Sequence, residues 1–143
     1  VTTRPRETVE AFLNAFKLSD VHAAMSTVAE DVTVTVFPMQ VRDGGSDVVR
    51  KLLDDVVTAF PDLHLTVKDV TEVGDVVVAE FKIEGTQASD FLDAINQEKH
   101  LDLDTAWRFT VKNEQIVGIE AYWCQNQLYR RLAVKRQDHV TIV

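Results

Sequence analysis

Phe60-Pro61 stops a helix at a fixed place, and the residues after it set the rest of the architecture. The residue before a proline avoids helical geometry, so the helical stripe Val49, Leu53, Val56, Phe60 ends at Phe60. Directly afterwards Leu63, Leu65 and Val67 alternate with His64, Thr66 and Lys68. Two-residue alternation is the period of a half-buried strand. Val77, Ala79, Phe81 and Ile83 alternate with Glu80, Lys82 and Glu84 in the same way, and Gly74-Asp75 supplies the turn between the two runs. A long hairpin entered from an amphipathic helix is the centre of a cone-shaped α+β fold built around one pocket.

The rest of the chain fits that centre. Val9, Phe12, Leu13 and Phe16 form a stripe at helical spacing, and Ser19-Asp20 can cap a second helix holding Ala24, Met25 and Val28. These patterns predict helices over 6–18, 20–29 and 46–60, the third capped by Ser46. Val32, Val34 and Val36 form a first strand, and Arg42 to Gly45 a loop. Residues 86–100 are polar and irregular, with a helical turn expected around Phe91-Leu92. Leu101, Leu103, Thr105, Trp107, Phe109 and Val111 alternate as a long strand, which Lys112 to Gln115 turns into a last strand from Ile116 to Trp123. Leu128 and Leu132 suggest a closing helix. Three helices followed by mostly sequential strands predict a strongly bent antiparallel sheet wrapped around the three N-terminal helices.

One core accounts for a chain of 143 residues, so residues 1–143 are expected to be a single domain, with 1–6 and 134–143 as loose tails. No apolar run approaches a membrane span, and no signal peptide is visible. Cys124 is the only cysteine, which excludes an internal disulfide and fits a cytoplasmic location. A net charge of −8 opposes nucleic-acid binding. The one basic cluster, Arg130, Arg131, Lys135 and Arg136, suits a solvated helix end. His22, His64, His100 and His139 do not fall at metal-ligand spacings, and neither a phosphate loop nor a Gly-x-Ser-x-Gly elbow is present. No cofactor and no metal are expected.

Several pieces, in this order and spacing, resemble the SnoaL-like polyketide cyclase branch of the nuclear-transport-factor-2-like superfamily. They are Glu10 to Phe16, Ala59-Phe60-Pro61-Asp62-Leu63, Val73 to Val77, Glu84-Gly85-Thr86, Glu114 to Val117 and Tyr122-Trp123. The resemblance covers residues 7–133. It implies a cofactor-independent enzyme that cyclises, isomerises or otherwise rearranges a hydrophobic, polyketide-like intermediate, working as a homodimer through the open face of the sheet. The alternative on the same fold is a non-catalytic ligand-binding or assembly domain.

Carried over residue by residue, the resemblance places the cyclases' aspartate on Ala121, or on Tyr122 with one gap. It places their histidine on Trp107 and a pocket asparagine on Thr33. Phe37, before Pro38, stands where isomerase-like and epoxide-hydrolase-like relatives keep an acid. Neither Ala121 nor Trp107 exchanges protons near neutral pH. The catalytic candidates are therefore Glu120 as acid/base and Tyr122 as oxyanion stabiliser, with Asp104 and His64 behind them. Glu120 and Tyr122 share the outer face of the last strand unless a bulge swaps the faces. Phe16, Thr33, Phe37, Thr105, Trp107 and Trp123 are the candidate substrate-binding residues of an apolar, aromatic-lined cavity. Cys124 is expected to be a small buried apolar residue.

Overall fold

A computed structural model of the chain describes residues 4–91 and 94–132. The elements are α1 (Pro5–Lys17), α2 (Val21–Met25), β1 (Val28–Val36), a 3-10 turn (Phe37–Met39), β2 (Val41–Gly44), α3 (Ser46–Ala59), β3 (His64–Val73), β4 (Val76–Thr86), β5 (His100–Lys112), β6 (Gln115–Trp123) and α4 (Gln125–Arg131). Six strands form one open sheet in the order β2-β1-β6-β5-β4-β3. Neighbours pair antiparallel except β1 and β6, which run parallel from Val28–Ile116 to Val36–Ala121. The sheet is thus mixed, whereas alternation alone predicts an antiparallel one, and the fold is α+β.

Local chemistry explains where the elements end. Pro5 occupies the first turn of α1, where its missing N–H costs nothing. The carboxylate of Asp20 caps α2 by accepting from Ala23 N at 3.0 Å. That helix is much shorter than 20–29. The hydroxyls of Ser26 and Thr27 bond back to Ala23 O at 2.6 Å and Ala24 O at 2.7 Å, competing with further helical turns. The β-branched run beyond them joins β1 instead, so Val28 is a strand residue. Gly45, not Ser46, is the N-cap of α3, and Arg42 to Gly44 of the expected loop at 42–45 belong with Val41 to the short edge strand β2. Phe91 and Ala94 bridge each other, and residues 92–93 of the expected turn lie outside the described residues. So do residues 1–3 of the tail expected at 1–6 and the tail expected at 134–143, with Lys135 and Arg136, whereas Pro5 and Arg6 are not tail but the start of α1, because Arg4 and Arg6 bond to Glu72.

The inner face of the sheet packs on the apolar stripes of α1 and α3. Val9, Phe12, Leu13 and Phe16 are buried from α1, and Val49, Leu52, Leu53 and Val56 from α3. Trp107 sits at the centre, 2% exposed, with ring centroids of Phe12, Phe16, Phe81 and Phe109 at 5.5–6.2 Å. Gly74 turns the β3–β4 hairpin at φ +60°, open to any glycine but strained for other residues. Gly85 lets Phe60 close on β4, since an added Cβ would lie 2.9 Å from Phe60 Cβ.

The start of α1 is strapped to the β3 edge. Arg4 Nη2 donates to Glu72 Oε1 at 2.8 Å, Arg6 N to Glu72 Oε2 at 2.8 Å, and Arg6 Nη1 to Val70 O at 3.2 Å. The hydrogen bond from Arg4, then that from Arg6 N, holds the Glu72 carboxyl below its ordinary value. A depressed folded pKa means the strap stabilises fully above the ordinary value of 4.5 and is lost as pH falls through the lower folded one. Hydrogen exchange should therefore show the amides of Thr8, Val9 and Glu10 losing protection below about pH 4.5 in the wild type. In Glu72→Gln they should be weakly protected at every pH. A variant that keeps the wild-type pH profile would remove Glu72 from this role.

Candidate functional site

The inner-face positions singled out by sequence meet around Trp107. On β5 the buried set is Leu101, Leu103, Thr105, Trp107, Phe109 and Val111. Trp107 is in register with Ala121 of β6, and Thr105 with Trp123. Trp107 Nε1 donates to Thr105 Oγ1 at 2.8 Å, and Thr105 Oγ1 donates to Tyr122 O at 2.9 Å. The one hydroxyl proton of Thr105 is thereby used inside the sheet. Trp123 is partly buried, its Nε1 donating to Gln125 Oε1 at 2.8 Å. Phe16 is buried against Trp107. Thr33 is exposed beside Gly118, away from this cluster.

Glu120 and Tyr122 point the other way. The bulge that would swap the faces of β6 lies upstream of them. Thr110 pairs with Gly118 and Val111 with Ile116, leaving Val117 as the extra residue. Past it Ile119 and Ala121 are buried, while Glu120 and Tyr122 face outward. Tyr122 OH donates to Glu120 Oε2 at 2.9 Å, and Arg108 Nη1 lies 3.7 Å from Glu120 Oε1. Phe37, expected inside, is 38% exposed and stacks on Tyr122 with centroids 4.5 Å apart and planes at 14°. The chain leaves β1 at Val36 into the Phe37–Met39 turn, which carries Phe37 onto the outer face. Arg42 completes the layer, its guanidinium carbon 5.8 Å from the Phe37 centroid.

Asp104 lies on the same outer face, hydrogen bonded to Lys68. With Tyr122, Glu80 and Trp123 it lines an open groove of about 470 Å³. Cys124 lines that groove too and is exposed rather than buried, because the chain has left the strand at Trp123. His64 is elsewhere, on the edge strand β3, in a groove of about 400 Å³ between β3 and α1 with Glu10, Asn14 and Lys17. Three of the four catalytic candidates thus share the outer face of β5 and β6, and the fourth is at the sheet edge.

The electrostatics of the outer face are structural in kind. The Lys68 ammonium holds the Asp104 carboxyl below its ordinary value. The Glu120 carboxylate, accepting from the phenol, raises the Tyr122 pKa above its ordinary value. Both groups move away from the neutral range in which a general acid or base works best. Lys82 pairs with Asp102 at 3.2 Å and is raised by that hydrogen bond. No helix among the described residues is long and apolar enough to cross a membrane.

An open mixed sheet curled over α1 and α3, with an aromatic inner face, defines a protein of the nuclear-transport-factor-2-like cone class. An NTF2-like protein of Burkholderia thailandensis shares the fold, with TM-score 0.75 at 18% identity over 94% of this chain and all (100%) of that one. The chain belongs to the SnoaL-like polyketide cyclase family, whose model matches residues 6–132. IdmH, a proposed polyketide cyclase of Streptomyces antibioticus, superposes with TM-score 0.78 at 17% identity, covering 92% of this chain and 100% of that one. AclR, a proposed hydroxylase of Streptomyces galilaeus, gives TM-score 0.79 at 18% identity over 90% and 80%. No curated protein matches the chain by sequence.

Proposed function

We propose that this SnoaL-like chain is a homodimeric domain that binds a hydrophobic, polyketide-like small molecule without performing the proton transfers of a cyclase. The observation that carries this reading is the inner-face register pair Trp107–Ala121. The family resemblance puts the cyclases' histidine and acid on these two positions. An indole N–H already bonded to Thr105 and a methyl group offer no acid or base at neutral pH. The proposed ligand class follows from the family and from IdmH, a proposed polyketide cyclase on the same fold. The homodimer would use the outer face, where Lys82–Asp102, Arg108–Glu120 and the Phe37–Tyr122 stack offer opposite charges and aromatic surface to a symmetry mate.

A second reading keeps catalysis and rests on the 2.9 Å bond between Tyr122 and Glu120. Here Glu120 moves the proton and Tyr122 steadies the developing oxyanion. One experiment separates the two. The full chain is incubated with an aromatic polyketide extract, the bound fraction is released by denaturation, and masses are compared with the input. The binding reading expects a retained hydrophobic compound of unchanged structure, with Glu120→Gln behaving as wild type. Conversion of a compound by the wild type, reduced about 10²–10⁴-fold in a folded Glu120→Gln variant, would establish the catalytic reading instead.

A further inference from the structure

The free edge of β3 borders the groove of about 400 Å³ against α1. β3 is the last strand of the sheet, so its backbone pairs with β4 on one side only. The strand and the helix run in opposite directions. Arg6, at the start of α1, bonds to Val70, while Leu13 and Lys17 further along line the groove with His64 to Val67. Leu13 and Leu65 form an apolar floor, 3% and 1% exposed, and Val67 is 43% exposed beside them, where the pairing with β4 slips. Unpaired strand backbone next to apolar side chains and a helix is the geometry that accepts one more extended segment.

The groove limits what can fill it. Arg6 Nη1 already holds Val70 O, and the bulge between Val67 and Asp69 interrupts the edge, so the straight stretch open to a partner is the four residues His64 to Val67. That is too short for the long flat pairing by which the sheet edges of two molecules join, and Lys68 on the edge opposes such pairing as well. Charge marks one end. Lys17 lies there beside His64, and its ammonium has no carboxylate partner among the described residues, whereas Glu10 towards the other end is paired with Arg6 at 3.6 Å. A fitting occupant is therefore short, extended and apolar, with an acidic residue ahead of it.

We propose that this groove is a strand-docking site filled by residues 139–143 of the same chain, added parallel to β3. The segment, His139-Val140-Thr141-Ile142-Val143, lies outside the described residues, and its sequence has the required form. Asp138 precedes it, and Val140 and Ile142 alternate with Thr141. Val140 and Ile142 then face Leu13, Leu65 and Val67, and Asp138 meets Lys17. The distance is within reach. α4 ends beside the start of β5, where Gln127 Oε1 accepts from Asp104 N at 3.3 Å and Leu132 O from Gln97 Nε2 at 3.3 Å. His64, Glu84 and Asp102 stand in one row across β3, β4 and β5. A strand added to β3 at His64 is therefore three strand spacings, about 14 Å, from β5. Residues 133–138 span up to about 20 Å when extended. The chain arrives at His64 and runs on towards Val67, which makes the pairing parallel. The groove is at the sheet edge, away from the Trp107–Ala121 pair, so docking there does not depend on the proposed function.

NMR on the full chain at neutral pH tests the site. The methyl groups of Val140 and Ile142 should show nuclear Overhauser contacts to Leu13 and Val67, and the amides of His64 to Val67 that point away from β4 should be protected from hydrogen exchange. Val140→Asp combined with Ile142→Asp should lower that protection about tenfold or more, the worth of two backbone hydrogen bonds, with the amides of Trp107 and Phe109 unchanged. Val67→Asp, at an exposed position that leaves the core intact, should release the segment in the same way from the groove side. In a mixture of isotope-labelled and unlabelled chains, contacts between the two populations should be absent. Missing contacts to Leu13 and Val67, exchange of the edge amides at the same rate in the wild type and the double variant, or an unaffected segment in Val67→Asp would each overturn the proposal. Contacts between labelled and unlabelled chains would overturn it too, by making a second copy the occupant.

Discussion

Trp107→Ala should destabilise the protein by about 3–5 kcal/mol, the range for removing a large buried aromatic side chain. Four phenylalanine rings lie within 5.5–6.2 Å of the indole, so the space it leaves is walled by rigid groups on α1, β4 and β5. Those groups cannot collapse into the gap without breaking their own packing, which places the expected cost towards the upper end of that range. The substitution also removes the donor to Thr105 Oγ1. Urea denaturation should show a midpoint lowered by roughly 1–3 M at an unchanged slope. A loss below about 1 kcal/mol would mean that the centre of the cone is loosely packed, with room for a ligand beside Trp107.

Phe37→Glu should separate the proposed homodimer. Phe37 and Tyr122 form an exposed aromatic stack flanked by Arg42 and Arg108, the residue types that concentrate binding energy at interfaces. The new carboxylate would stand close to Glu120 and would remove the stack. Loss of one such anchor costs about 2 kcal/mol or more, so the dissociation constant should rise at least about thirtyfold. Sedimentation velocity is the measurement, with circular dichroism as the check on folding, because Phe37 lies outside the core. A wild-type protein that sediments as a monomer at tens of micromolar would end the homodimer proposal before any variant is made.

Periodicity made most of the architecture legible. The stripes of α1 and α3, the Phe60 stop, the β3–β4 hairpin and the inward place of Trp107 are direct consequences of side-chain spacing. Spacing does not carry direction or partner. Nothing in Val32, Val34 and Val36 distinguishes a strand that pairs parallel to β6 from one in a hairpin. The short span of α2 depended on hydroxyls turning back on their own helix, and β2 has too few residues to show an alternation. Register shifts also redirect side chains. Between Val67 and Asp69 the pairing with β4 slips by one residue, and Val67, although in phase with Leu65, is left exposed.

The site was legible in the same uneven way. The outward face of Glu120 and Tyr122 could be read from parity, because the bulge falls before them. Phe37 could not, since its position depends on the turn after β1 rather than on β1 itself.

The parallel pairing of β1 with β6 also sets the order in which the protein comes into being. Every other strand pair joins neighbours in the chain, whereas β1 waits for a partner that begins at Gln115. During synthesis β1 and β2 are made well before β6, so β1 lacks its β6 partner until residues 115–123 have been made. Closing so long a loop is entropically slow, and it places this step at the end of folding. Until then the β1 backbone is an unpaired edge rich in valine, the kind of surface on which nascent chains aggregate. Chains truncated before Gln115 should therefore need a chaperone to stay in solution, while chains that include β6 should bury that edge on their own.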